Sequence, residues 1–209
     1  MSEQRVSLYD TPVVAHVVRS GFVESVHHGS VVALDANGST SLAIGDVTGP
    51  IFPRSSSKPV QALAMLRAGL DLDGELLALA TGSHSGAAFH LEGVRRILAG
   101  AGLSERDLQN TPGLPYGEPE HDAWIAAGGK ATSLVQNCSG KHAAMLATCV
   151  VAGGGIATYR EPHHPVPPLI AATLAALDGA TAAALGVDGG GAPVPLLPLP
   201  RPAGHLPPP

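Results

Sequence analysis

The 209-residue sequence has little charge, few aromatic residues and no long apolar run. Charged residues make up 14% and aromatic residues 3% of the chain, whereas an average soluble domain has about 25% charged residues. With a net charge of -5, the chain offers no basic field to attract a phosphate backbone, so nucleic acid is not an expected partner. The start MSEQRVSLYD lacks a signal-peptide pattern, and no apolar run approaches the ~18 residues of a membrane span. We therefore expect a cytoplasmic protein that does not bind membranes.

Cysteine is also scarce, with only Cys138 and Cys149 present. Two cysteines are too few for a disulfide framework, which leaves thiol or metal chemistry as their expected use. Glycine and proline are plentiful, at 26 and 19 residues, but they lie between periodic apolar segments. This distribution predicts a folded chain rather than a disordered one.

The order of the periodic segments predicts the fold class. Residues 13–44 alternate like an antiparallel meander with a hairpin turn at Asn37-Gly38. From Pro59 the apolar period becomes helical, and helices are predicted to begin there and to cover 74–81, 88–99, 118–127, 141–152 and 169–177. Strands followed by helices indicate an α+β (mixed α/β) domain over residues 1–192, with helices packed on a mostly antiparallel sheet. Residues 193–209 hold eight prolines and are predicted to form an extended or disordered tail.

Lysine usage points to a first candidate site. The chain has only three lysines, Lys58, Lys130 and Lys141, and a buried lysine can lose its proton whereas arginine cannot. In the stretch RSSSKP, Ser55 precedes Lys58 by almost one helical turn, which brings the hydroxyl and the amine to the same side. A serine nucleophile and its base need this arrangement. The alternative is a serine that caps the helix beside a solvated lysine.

A second candidate is the glycine-bracketed segment GSHSG, residues 82–86. It is either an active-site loop that presents Ser83 and His84, or a polar turn that caps the next helix. The sequence HHP at 163–165 has no acidic or cysteine partner at metal-ligand spacing, so a surface loop is predicted there.

The third candidate, NCSGKH at 137–142, precedes an apolar helix. Three interpretations of Cys138 remain open. Its thiolate is a candidate nucleophile at a helix N-terminus, it is a candidate metal ligand together with Lys141, or it is a small buried residue beside an Asn137 cap.

Taken together, the segments FPRSSSKPVQALAMLRAGLDL, TGSHSG, NCSGKHAAMLATCV and GVDGGGAP resemble the bacterial type II L-asparaginase family, of the serine-dependent, β-lactamase-like kind. The resemblance implies a fold similar to β-lactamases and the hydrolysis of L-asparagine to L-aspartate and ammonia. It also implies roles for individual residues. A catalytic Ser-Lys dyad would be formed by Ser55 and Lys58, with Ser83 as second active-site serine. The residues that would shape the pocket or hold the substrate are Arg54, His84, His142 and Asp188. Two ligands of a zinc site are matched by Cys138 and Lys141.

The sequence departs from the family's pattern at two points. The third metal ligand, a cysteine in the family, is Gly190 here, so zinc affinity is expected to be low. The family continues past residue 209 and takes a further lysine from that portion, so the chain is expected to be a C-terminally truncated member. Two alternatives to an active asparaginase therefore stay open: an impaired relic that only binds an amino acid, and a serine hydrolase that acts on another amide. A homodimer is a plausible assembly.

Overall fold

Two β-hairpins form the first part of the chain in the computed structural model, which describes residues 11–178, 184–197 and 199. One pairs β1 (Val13–Arg19) with β2 (Phe22–His28), and the other pairs β3 (Val31–Leu34) with β4 (Thr40–Ile44). The antiparallel pairing was predicted. Within the described residues, however, β2 does not pair with β3, so two separate sheets replace the predicted continuous meander.

Local turn chemistry explains both hairpins. Ser20 and Gly21 connect β1 to β2 with φ of 51° and 81°, and a two-residue turn with both angles positive suits the twist of paired strands. Between β3 and β4, the Asp35 carboxylate accepts hydrogen bonds from the backbone of Asn37 and Ser39. The sequence signal at Asn37-Gly38 therefore predicted this turn correctly.

Residues 52–196 form a second unit, which holds the helices. Two short antiparallel strands near its end, β5 (Leu185–Val187) and β6 (Pro193–Pro195), complete its regular structure. Helices, hairpins and short antiparallel sheets together make this an α+β protein, as predicted. The six helices of the described residues are α1 (Lys58–Arg67), α2 (Gly74–Thr81), α3 (Ala88–Gly100), α4 (Glu118–Ala126), α5 (Ser139–Val151) and α6 (Val166–Asp178).

Helix α5 lies at the centre of this unit and packs against α1, α2 and α3. Its first eleven residues, 139–149, are all buried, polar and charged side chains among them. Gly140 allows the close contact with α2, because a Cβ there would lie 2.6 Å from the carbonyl oxygen of Leu79. This packing places the N-terminus of α5 next to the loop that follows α2.

Two predictions about irregular segments are corrected by the structure. Residues 193–195 form β6 inside the predicted proline-rich tail, because the prolines alternate and leave the N–H groups of the intervening residues free to face β5. The other tail residues, apart from Leu196, Leu197 and Leu199, lie outside the described part. His164 is only 6% exposed and lies 3.8 Å from the Cys149 sulfur, so the predicted surface loop is wrong for this residue.

None of the described helices combines the length and the apolar character needed to cross a bilayer.

Candidate active site

A small cavity of about 170 Å³ opens at the N-terminus of α5. It is smaller than the roughly 300–1,000 Å³ of pockets that take drug-sized ligands, and its size suits a small polar molecule. Segments far apart in sequence meet here: the turn before α1, the start of α5 and the turn after β5. The lining residues are Arg54, Ser55, Lys58, Gln61, Gln136, Asn137, Cys138, Lys141, Asp188, Gly189 and Gly190.

Lys58, the first residue of α1, is only 3% exposed. Its amine donates hydrogen bonds to the Gly82 carbonyl at 2.7 Å, to Ser83 Oγ at 2.9 Å and to Cys138 Sγ at 3.3 Å. Three donors with three partners hold the amine in one position. The structure therefore does not agree with the alternative of a solvated lysine, and Ser83 is in contact with Lys58.

Ser55 lies one turn before Lys58, whose backbone N–H bonds to the Ser55 carbonyl. Both residues line the cavity, but their side chains are not hydrogen-bonded to each other, and among the described residues the Ser55 hydroxyl has no partner. Ser55 is exposed. Its hydroxyl is thus open to a molecule in the cavity.

Arg54 precedes Ser55 and has a φ of 51°. A non-glycine residue rarely adopts this left-handed conformation, and backbone strain of this kind is found mainly where function requires it. The strain turns the chain into the 3₁₀ turn Arg54–Ser57 that leads into α1. The guanidinium of Arg54 contributes a positive charge to the cavity lining.

Asp188 and Lys141 form an ion pair in the cavity wall. The Asp188 carboxylate also accepts hydrogen bonds from the backbone of Gly190 and Ala192, at 2.9 and 3.0 Å. Burial raises the pKa of Asp188, but the Lys141 ammonium and these hydrogen bonds outweigh it and bring the pKa below its ordinary value. The carboxylate is therefore charged at neutral pH.

The two predicted pocket histidines are buried behind the cavity rather than in its lining. His84 is 4% exposed and its Nε2 is hydrogen-bonded to Ser139 Oγ at 2.8 Å. Burial, with His90 and Lys58 nearby, lowers the pKa of His84 to about 4. His142 is hydrogen-bonded through Nδ1 to the Tyr159 hydroxyl at 2.9 Å, and burial, followed by the charge of Lys141, lowers its pKa well below the ordinary value. Both rings are neutral at pH 7.

Ser83 also lines a second cavity, between α2 and α3, of about 460 Å³. Leu76, Leu79 and Phe89 make much of its wall apolar, and His84 contributes to it as well. Ser83 lines this apolar cavity and not the small polar one, and its Oγ accepts a hydrogen bond from Lys58, which lines the small one.

The small cavity also contains three amide side chains for which the sequence predicted no role in binding substrate: Gln61, Gln136 and Asn137. Gln136 accepts the backbone N–H of Cys138 and the Asn110 amide, and it donates to Asn137. Gln61, on α1, donates to Ser57 Oγ in the 3₁₀ turn before it. The only sequence signal for a cavity position of Gln136 was its place just before the NCSGKH stretch. No sequence spacing indicated that Gln61 would line the cavity.

The residues of this cavity do not fit a zinc ion. Cys138 and Lys141 both line it, but the Lys141 amine is bound to Asp188 and the Cys138 sulfur contacts Lys58 and Asn137. The described part of the chain contains no group of three or more Cys, His, Asp or Glu side chains placed to hold a metal. Tetrahedral zinc sites need at least three such ligands.

Comparison with known families identifies the chain. The family model described as L-asparaginase II matches residues 15–206. The chain belongs to the L-asparaginase II family. Its family name indicates asparagine hydrolysis and thus a small-molecule substrate, which agrees with the volume and polarity of the smaller cavity. A comparison with curated proteins finds no match.

Proposed function

We propose that the protein hydrolyses the side-chain amide of L-asparagine to L-aspartate and ammonia, with Ser55 as nucleophile and Lys58 as its base. One observation carries the proposal: a serine hydroxyl with no partner among the described residues and a buried lysine amine line the same small cavity, beside charges of both signs. Family membership supports the reaction, and a fold related to β-lactamases is part of the proposal.

The first half-reaction forms an acyl-enzyme. The neutral amine of Lys58 takes the proton of Ser55 as Oγ adds to the amide carbon. When the tetrahedral intermediate collapses, the carbon–nitrogen bond breaks and Lys58 returns the proton to the leaving nitrogen, so ammonia departs. Water then attacks the aspartyl ester with Lys58 again as base, and L-aspartate and free Ser55 are released.

The remaining charges of the cavity suit the ends of the amino acid. Arg54 supplies a cation for the α-carboxylate, and the Asp188 carboxylate supplies an anion for the α-ammonium. Ser83 Oγ and the Gly82 carbonyl accept hydrogen bonds from the Lys58 amine and hold it in position. They act as positioning groups that keep the base aimed at the cavity.

The test is ammonia release from L-asparagine by the wild type and by Lys58→Met, with L-glutamine as the competing substrate. We expect saturable release by the wild type and a loss of about 10³-fold or more in the variant, because both proton transfers depend on this amine. Undiminished release by folded Lys58→Met would overturn the proposal. Calorimetric binding of asparagine without any ammonia release would instead support the relic that only binds an amino acid.

The larger cavity favours a second candidate function. Its apolar wall meets Ser83, and Ser83 is the serine that contacts Lys58, so an amide with a bulky apolar group has a place beside a lysine-activated hydroxyl. Turnover of the chromogenic β-lactam nitrocefin, abolished by Ser83→Ala and kept by Ser55→Ala, would favour this function over asparagine hydrolysis.

A further inference from the structure

The corner of the small cavity that the family resemblance assigns to a metal contains an ion pair in this chain. Lys141 is only 2% exposed, and its amine donates to the carboxylate of Asp188. An ammonium that donates its protons to a carboxylate has no lone pair to offer a metal. One of the two ligands implied by the resemblance is therefore occupied by a bond within the chain.

The carboxylate is held in place independently of Lys141. Asp188 Oδ1 accepts the backbone N–H groups of Gly190 and Ala192, and the Asp188 backbone N–H bonds to the Ala192 carbonyl at 2.8 Å. The Asp188 carboxylate is thus fixed by the backbone as well as by Lys141. A carboxylate that already accepts several hydrogen bonds can balance a buried cation at low cost.

The third ligand position offers no replacement. Residue 190 is glycine, and a Cβ at this position would lie 2.6 Å from His142 Nε2, so even the first atom of a side chain would require the buried His142 ring to move. Charge also opposes a metal, because the Arg54 guanidinium and the Lys141 ammonium already line this cavity. A divalent cation added beside these two positive groups would be repelled in a medium of low dielectric constant.

We propose that this chain closes the cavity with the Lys141–Asp188 ion pair in place of a zinc ion and that its folded state requires no metal. The proposal does not depend on which amide the enzyme hydrolyses, because it concerns the wall of the cavity. Its measurements are independent of ammonia release, so each proposal can fail without the other.

The first test uses the wild-type protein. We expect elemental analysis after growth with added zinc and gel filtration to find far less than about one zinc per chain. The melting temperature should change by less than about 1 °C on addition of a chelator or of zinc, since a ligand stabilises a protein only if the folded state binds it. Stoichiometric zinc that survives gel filtration, with a chelator that lowers the melting temperature, would overturn the proposal.

The second test measures the ion pair by a double-mutant cycle. Lys141→Met should lower the melting temperature by about 6–20 °C because it leaves the half-buried Asp188 carboxylate without its cation. Asp188→Asn keeps an oxygen for the backbone N–H groups, and adding it to Lys141→Met should recover part of the loss. If Lys141→Met does not fold, recovery of a folded protein in the double variant is the same result in a stronger form.

A matched control is available on the surface. Arg95 and Glu105 form an ion pair with N–O distance 2.6 Å, and both side chains are 47% exposed. The cycle of Arg95→Met and Glu105→Gln should show a coupling several-fold smaller, since exposed pairs contribute little to stability. Equal coupling in the two cycles, or none for Lys141 and Asp188, would contradict the proposed role of the buried pair.

Discussion

Alanine substitution of Ser55 and of Ser83, one at a time, separates the proposed nucleophile from the residue proposed to hold its base. The Ser55 hydroxyl lies in the small cavity without a partner in the described part of the chain, whereas Ser83 accepts one hydrogen bond from the Lys58 amine at 2.9 Å. A hydrogen bond to a charged group contributes about 1.5–3 kcal/mol. At about 1.36 kcal/mol per tenfold change in rate, Ser83→Ala should lower kcat for asparagine by about 10- to 150-fold.

Ser55→Ala should cost much more, because it removes the proposed attacking oxygen itself. Loss of the serine nucleophile of a hydrolase lowers kcat by up to the order of 10⁶-fold, so only background hydrolysis is expected. Ammonia release under saturating asparagine measures both effects, and rapid quenching followed by mass spectrometry should detect an aspartyl ester in Ser83→Ala but not in Ser55→Ala.

Ser56→Ala is the matched control, since Ser56 lies in the same turn, its hydroxyl donates to the Pro53 carbonyl and it is not among the cavity residues. Its rate should equal that of the wild type. The reverse order of the two main effects, with Ser55→Ala the milder variant and an ester still formed, would refute the assignment of Ser55 as nucleophile.

Three further predictions concern stability. Gly140→Ala should lower the free energy of unfolding by about 1–3 kcal/mol in urea titration, because its Cβ would lie 2.6 Å from the Leu79 carbonyl oxygen. Gly100→Ala, with open space around it, is the control. Equal urea midpoints for the two variants would contradict the close packing of α5 on α2 at Gly140. Tyr159→Phe should lower the free energy of unfolding by about 1–3 kcal/mol, since the buried hydroxyl accepts the Gln109 N–H. An unchanged free energy of unfolding would disprove this prediction. His84 is neutral, with its pKa lowered to about 4. It contributes stability that is present above about pH 6.5 and lost as the pH falls towards 4, about 2–3 kcal/mol in total. His84→Asn should make the free energy of unfolding less dependent on pH in this range, and an equally steep dependence in that variant would count against the prediction.

Local signals in the sequence were sufficient for most of the regular structure. Pro59 at the start of α1 and Gly69 after its end mark that helix, and Gly69 has the positive φ of 98° that a helix C-terminus favours. Helix α6 begins three residues earlier than predicted, at Val166, with two prolines in its first turn. Proline is tolerated there because first-turn N–H groups have no partner within the helix.

The same local signals could not predict strand partners. Alternation identified β2 and β3, but Gly29 continues the first hairpin through its bond to the Pro12 carbonyl, and no feature of either strand encodes its neighbour. For β6, the density of prolines indicated an extended tail, whereas pairing with β5 depends on the alternation of those prolines and on a partner nearby.

The sequence by itself determined which residues are candidates for the chemistry: a serine one turn before a rare lysine, a second serine between glycines, and a cysteine and a lysine at the head of an apolar helix. The tertiary structure alone decided which of them meet. Lys58 contacts Ser83 across 25 positions and Cys138 across 80, and Lys141 pairs with Asp188 across 47. Spacing along one helix sets contacts within a turn, but contacts over such separations arise only when helices pack and bury polar groups that must then find partners in space.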